Sequence, residues 1–230
     1  MVFMSKKLVL LLVILTFNFA LAASSVSAAC VIDLSSPDGG EAWAGAHDIL
    51  WSYAGCGNKP EFDIEYSSDG GSNFNSLVSN VAGSADDDGD GSYSFDTTAR
   101  TDGSDYNIKV KKGGASDEST SAFTIDNTTP SISSFVSGEE GNNGWYISSV
   151  TVEFECSDDL SGIDFCTEPV FLESDGEGQS AQGEAVDNAG NSANTEASGI
   201  NIDQTAPTTS LEFDGASFED EEGLIYINSF

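Results

Sequence analysis

Asp and Asn side chains in short, Gly-punctuated loops are the groups in this chain best suited to chemistry. The chemistry they suit is the binding of a hard cation. Asp126 lies in the phrase "IDNTTP", Asp158 and Asp159 in "CSDDLSG", and Asp187 and Asn188 in "AVDNAGN". A calcium ion takes roughly six to eight oxygen ligands, and carboxylates with amide carbonyls supply them. A further loop, "DDDGDG", sets Asp86, Asp88 and Asp90 at alternate positions, which is how a calcium loop opens. Its twelfth position is Thr97 where a Glu ligand is needed, and no helical pattern flanks it, so it is the weaker candidate. Asp and Asn also bond their own backbone in turns, and that reading stands beside the cation for every one of these loops.

Catalysis finds little support. The one histidine, His47, opens the segment "HDILW" and reads as a turn or strand-edge residue. A nucleophilic triad would have to use it, and no Gly-x-Ser-x-Gly elbow accompanies it. The acids are concentrated in loops, where a solvated surface explains them better than a glycosidase pair. No catalytic residue and no enzyme is expected. Among the tryptophans, Trp51 alternates with Ile49 and belongs to a core, whereas Trp43 and Trp145 are candidates for stacking against a sugar. Asn127-Thr128-Thr129 is the single N-glycosylation sequon, and Pro130 after it disfavours its use.

The elements that must position these residues are strands. In "EFDIEYS" Phe62, Ile64 and Tyr66 face one way, and in "DYNIKVKK" Tyr106, Ile108 and Val110 do the same. In "SVTVEFEC" Val150, Val152, Phe154 and Cys156 point inward, with Thr151, Glu153 and Glu155 outward. Gly, Asp, Asn and Ser clusters separate the runs as turns, and no apolar stripe of helical period follows residue 29. The fold class is all-β. Residues 30–126 hold strands over 30–34, 41–44, 47–53, 61–67, 74–79, 92–96, 105–111 and 120–126, a spacing that predicts a β-sandwich. Residues 127–203 repeat the pattern with strands over 131–136, 145–155, 169–174, 180–187 and 193–202.

Residues 1–29 have the layout of a cleaved secretory signal. Lys6 and Lys7 precede the apolar run Leu8–Leu15, and small residues follow at Ala20-Leu21-Ala22 and Val26-Ser27-Ala28. The run is too short to span a bilayer, and no later segment could do so. Loss of the two lysines leaves five bases against 39 acids, a net charge of −34. A field of that sign repels nucleic acid and anionic lipid, and it favours cations, basic partners or a salty medium. Four cysteines in an exported chain suggest two disulfides, with three connectivities open. Local pairing, Cys30–Cys56 and Cys156–Cys166, is the simplest.

The chain also repeats itself. "FTIDNTTPSISSF" (123–135) matches "INIDQTAPTTSLEF" (200–213), and "NGWYISSV" (143–150) is echoed by "GLIYINSF" (223–230). A period of roughly 80 residues follows, which makes residues 204–230 the truncated start of a third repeat.

These residues also carry family resemblances. "SPDGGEAWAGAHDILW" followed by "IEYSSDGGSNF" resembles the N-terminal β-sandwich domain of the Ser/Thr-rich GPI-anchored membrane protein family, whose relatives occur in prokaryotic surface proteins. The Ser/Thr-rich anchor of the fungal members has no counterpart here. "GWYISSVTVEFECSDDLSGI", "AVDNAGN" and "IDQTAP" resemble the Ig-like repeats of large bacterial and archaeal cell-surface proteins, many of them spacers. "SSDGGSNF" resembles the Asp-box hairpin, a turn built on Asp69. In an Ig-like sandwich the start of the first strand and the loops after the second and sixth share one pole. That layout would bring Asp126, Asp158, Asp159, Asp187 and Asn188 together where two modules meet.

The expected function is therefore a secreted or cell-surface, non-catalytic array of Ig-like or fibronectin-like modules. It would act as spacer, adhesin or envelope component toward a surface protein or glycan, with cations stiffening the joints. The alternative is a carbohydrate- or cell-wall-binding accessory part of a larger enzyme. The acidic balance equally fits a halophile.

Overall fold

A run of alternating apolar and polar residues can hide only one face, so two sheets must stack to bury it. The computed structural model describes residues 29–210, 217–219, 221–222 and 225–227, and every described element is a β-strand. The expected signal segment, apart from residue 29, lies outside the described residues.

Nine strands lie within residues 31–125: β1 (Val31–Ser36), β2 (Ala42–Trp43), β3 (Ala46–Ala54), β4 (Glu61–Ser67), β5 (Asn75–Ala82), β6 (Gly89–Asp96), β7 (Gly103–Lys112), β8 (Ala115–Glu118) and β9 (Phe123–Ile125). One sheet runs β1-β3-β6 and the other β2-β9-β7-β4-β5, with β8 also pairing β7. Between them lies a core rich in aromatics. Trp51, Phe62, Phe95 and Phe123 are fully buried beside Ile49, Ile64, Ile108 and Val110. The period-two reading of β4 and β7 therefore holds for Phe62, Ile64, Tyr106, Ile108 and Val110, with Tyr66 only half-buried at the strand end.

Residues 131–202 repeat the arrangement with seven strands: β10 (Ser131–Ser137), β11 (Trp145–Tyr146), β12 (Val150–Ser157), β13 (Ile163–Cys166), β14 (Val170–Leu172), β15 (Gly176–Asp187) and β16 (Ser192–Ile202). The sheets are β10-β12-β14 and β11-β16-β15-β13. This core is slighter: Val150, Val152, Ala181, Ala197, Ile200 and Ile202 are its buried members, with Phe154 half-buried against them.

The expected single strand over 145–155 is two strands. Trp145 and Tyr146 pair in parallel with Asn201 and Ile202, whereas Val150 pairs with Leu172 and Thr151 onward with β10 in the other sheet. Ile147–Ser149 carries the chain between sheets, as Ala44 and Gly45 do between β2 and β3. The four-residue strands β8 and β13 were not expected: β8 has no apolar alternation to read, and β13 offers only the brief Ile163-x-Phe165 pair.

Two disulfides brace these units. Cys30–Cys56 ties the start of β1 to the segment after its partner β3, and Cys156–Cys166 links β12 to β13 across the two sheets. The local pairing is thus the one formed. The β4–β5 hairpin is held by Asp69, which accepts hydrogen bonds from Ser67 Oγ at 2.7 Å, Asn73 N at 2.8 Å and Asn73 Nδ2 at 2.6 Å. Asp69 is a structural turn residue, as its motif suggests.

Beyond residue 203 the described elements are β17 (Ser217–Glu219) and β18 (Ile225–Ile227), which pair antiparallel. The rest of the expected third repeat, residues 211–216, 220, 223–224 and 228–230, lies outside the described residues. No described helix is long and apolar enough to cross a membrane.

Candidate metal site between the two sandwiches

Three segments meet at one pole of the second sandwich. The first is the end of β9, where the N–H of Asp126 continues the parallel pairing by donating to Trp43 O at 3.0 Å. The second is the loop 158–162 after β12, and the third is the turn 188–191 between β15 and β16. Carboxylate oxygens of Asp126, Asp158 and Asp187 all lie within 4.8 Å of one another. Two oxygens that each sit roughly 2.4 Å from one calcium ion can be no more than ~4.8 Å apart, so the spacing suits shared coordination. Asp126 is fully buried, Asp187 is 1% exposed, and Asp158 is half-buried.

Each carboxylate is held by backbone. Asp158 Oδ1 accepts from the N–H groups of Leu160 (3.0 Å), Ser161 (2.9 Å) and Gly162 (2.9 Å), which leaves Oδ2 for another partner. Gly162 closes that turn at φ 80°, in the left-handed region that costs glycine little. Burial acts to raise the Asp158 pKa, but the three N–H donors and the Ser161 hydroxyl outweigh it and the carboxyl sits below its ordinary value. Asp126 Oδ2 accepts from Ser161 N at 3.1 Å, a bond from the second sandwich to the last strand of the first. Asp187 Oδ1 accepts from Ala189 N and Asn191 N at 2.9 and 2.8 Å. Among the described residues the ion pairs are Lys109–Glu118 and Lys111–Glu65, neither of which involves these acids. Among the described residues the three carboxylates are thus offset by N–H and hydroxyl dipoles rather than by a cationic side chain. Two unit charges ~5 Å apart at an effective dielectric constant of ~20 repel by roughly 3 kcal/mol, and a divalent cation would reverse that sign.

The remaining expected ligands fall elsewhere. Asp159 is exposed on a cleft of about 290 Å³ that Asp102, Asp126, Thr128 and Asp158 also line. Asn188 donates from Nδ2 to Ser161 O at 2.8 Å, stapling two loops together beside the acids rather than joining them. Asp86, Asp88 and Asp90 do not form a ligand group among the described residues. Asp88 Oδ1 accepts from Gly55 N at 2.9 Å, Asp87 accepts from Gly57 N, and Asp90 lies within β6 opposite Ser52. The acidic loop docks on the segment carrying Cys56.

Trp43 is corrected as a glycan contact. It is 5% exposed, stacked on His47 with ring centroids 4.9 Å apart and packed on Phe123 at 4.8 Å. A ring buried to that degree offers no open face to a sugar. Trp145 is half-buried. Trp51 is a core residue, and His47 Nε2 donates to Ala44 O at 3.0 Å within the β2–β3 turn. Two site residues escaped the sequence reading. Asn191, in the same "AVDNAGN" phrase, bonds both Asp126 O and Asp187 Oδ2. Asp102 lies in "TARTDGSD" with nothing local to mark it.

No protein-family model matches the chain, and no curated protein matches it. The resemblance of residues 30–126 to the Ser/Thr-rich GPI-anchored family therefore has no family match behind it. Among solved structures the chain is similar to fibronectin(III)-like modules of Clostridium thermocellum CbhA, at 13% identity and a TM-score of 0.38, over 79% of this chain and 100% of that one. What the arrangement offers chemically is an oxygen-rich, partly buried pocket for a hard cation, shared by both sandwiches.

Proposed function

We propose that this protein is a non-catalytic, extracytoplasmic chain of β-sandwich modules that acts as a spacer or adhesive surface element, with calcium stiffening the joint between modules. One observation carries the reading: the acid cluster draws Asp126 from the end of one sandwich and Asp158 and Asp187 from the next. A cation there would bond to both bodies at once, so it would favour one relative orientation. The leader-like N-terminus, both disulfides and the strongly acidic surface support an exported setting.

Calorimetry and small-angle scattering test the proposal on the exported chain at fixed ionic strength. A higher melting temperature and a narrower distribution of shapes in calcium than in chelator are expected, with little response to magnesium. An unchanged midpoint with unchanged scattering would defeat it. The carbohydrate-binding alternative now rests on half-buried Trp145 alone. Glycan binding lost in Trp145→Ala would favour it instead.

A further inference from the structure

The linker that leaves the first sandwich is gripped by an acid from another loop of that same sandwich. Asp102, between β6 and β7, accepts from Asn127 N through Oδ1 at 2.9 Å and from Thr128 Oγ1 through Oδ2 at 2.6 Å. Asn127 Nδ2 reaches Thr97 O at 3.1 Å, and Thr128 N donates to Asp126 Oδ1 at 3.1 Å. The second sandwich makes the same grip on its own leaving linker. Asp175, between β14 and β15, accepts from Gln204 N at 2.7 Å and Thr205 Oγ1 at 2.7 Å. Gln204 Nε2 donates to Glu173 O at 2.8 Å, and Thr205 N to Asp203 Oδ1 at 3.1 Å. Even the preceding bond recurs: Asp203 N donates to Tyr146 O at 2.9 Å, as Asp126 N does to Trp43 O.

We propose that Asp102 is a positioning residue of the joint: it fixes the direction in which the chain leaves the first sandwich and thereby aims the Asp126 carboxylate at Asp158 and Asp187. Asp175 holds Asp203 in the same way. Two features support a joint-setting part rather than a turn that merely satisfies itself. Asp102 bonds residues 25 and 26 positions away, outside its own loop. The grip also recurs at a second linker with Gln204 in place of Asn127, so what is kept is the set of bonds and not the residue. Burial acts to raise the Asp102 pKa, yet the bonds from Thr128 and Asn127 prevail and hold it below its ordinary value, so both acceptors are charged at neutral pH.

The inference rests on the cation reading only for its affinity arm, and the test separates the two. In the full chain, Asp102→Ala and Asp175→Ala are compared with the parent by calcium titration calorimetry. Residual dipolar couplings are recorded for both sandwiches in calcium and again in chelator. Asp102→Ala should weaken calcium binding by roughly tenfold, as loss of an outer partner of a ligand commonly does. It should also give the two sandwiches separate alignment tensors in chelator, while the couplings within each sandwich stay unchanged. Asp175→Ala should leave both readouts as in the parent. Thr128→Val, which loses the Oγ1 bond alone, should fall between. A shared tensor and parental affinity in Asp102→Ala would overturn the inference. A parent chain that binds no calcium would remove the cation reading, and the tensors in chelator would still decide the role of Asp102.

Discussion

Asn191 joins two sandwiches through one amide: its Nδ2 donates to the main-chain carbonyl of Asp126, 65 residues earlier, at 2.8 Å, and to Asp187 Oδ2 at 2.7 Å. Asn191→Ala leaves a carbonyl and a carboxylate short of a donor. A loss of about 1–3 kcal/mol follows, the usual penalty for stranded polar groups. Urea unfolding of the full chain measures it, and an unchanged midpoint would contradict the role assigned to Asn191.

Asp158→Asn separates charge from shape. Asp158 takes its N–H bonds on Oδ1, so an amide can keep that oxygen and place its nitrogen where Oδ2 stood. In chelator the variant should melt somewhat below the parent, because the charged carboxylate is net favoured in the fold and a neutral amide oxygen accepts those bonds less strongly. In calcium the rise seen for the parent should vanish. That rise corresponds to roughly 2.7 kcal/mol when free calcium is ~100-fold above its dissociation constant.

Acid should loosen the structure in a defined window. Asp69 is lowered from 3.8 to about 2 by side-chain bonds from Asn73 and Ser67, and Asp175 is lowered by the Gln204 N–H and the Thr205 hydroxyl. Asp158 and Asp102 are also lowered, although burial opposes the shift in both. A carboxylate whose folded pKa is depressed contributes stability above its unfolded pKa and loses it as pH falls through the folded one. Stability should therefore hold near pH 5 and decline from about pH 3.8 toward pH 2. Thermal melts across that range check the sign; a flat midpoint would refute it.

Two glycines give way to aromatic rings. A Cβ at Gly91 would stand 2.1 Å from the Trp51 ring, directly across the β3–β6 pair, and one at Gly183 would stand 2.3 Å from Phe154. Gly91→Ala and Gly183→Ala should each destabilise by about 1–3 kcal/mol through overpacking. Chemical denaturation followed by Trp fluorescence reads the first most directly.

The disulfides act on cores of unequal size. Chain-entropy reasoning assigns ~3.5 kcal/mol to Cys30–Cys56 and ~2.7 kcal/mol to Cys156–Cys166 from their loop lengths. The second sandwich has the slighter core, which counts Ala181 and Ala197 among its buried members, whereas the first holds Trp51 and Phe62. Reduction should therefore unfold residues 131–202 at a lower urea concentration than residues 31–125, as hydrogen exchange would show.

What the sequence made legible follows the range of the interaction. Strand β4 was readable to the residue, because alternation at Phe62 and Ile64 is local and both faces of the sheet are of opposite character. The break between β11 and β12 was not, since Ile147 to Ser149 hold no Gly or Pro to mark a turn while the pairing partner changes. At the site, Asp126, Asp158 and Asp187 were nameable because each ends a strand in an assumed sandwich. Asp102 and Asn191 were not, because their meaning lies in partners far along the chain. Trp43 was misjudged for the same reason: Phe123, which covers it, is near only after folding.

The matched grips at Asp102 and Asp175 bear on how such a chain would fill space. Freely hinged beads spread only as the square root of their number. Joints that each impose one rotation and one advance generate a screw, whose end-to-end length grows in proportion to the number of units. The two carboxylates that accept from Thr128 and Thr205 would then set a persistence length, and one altered joint would bend the whole axis at a single point.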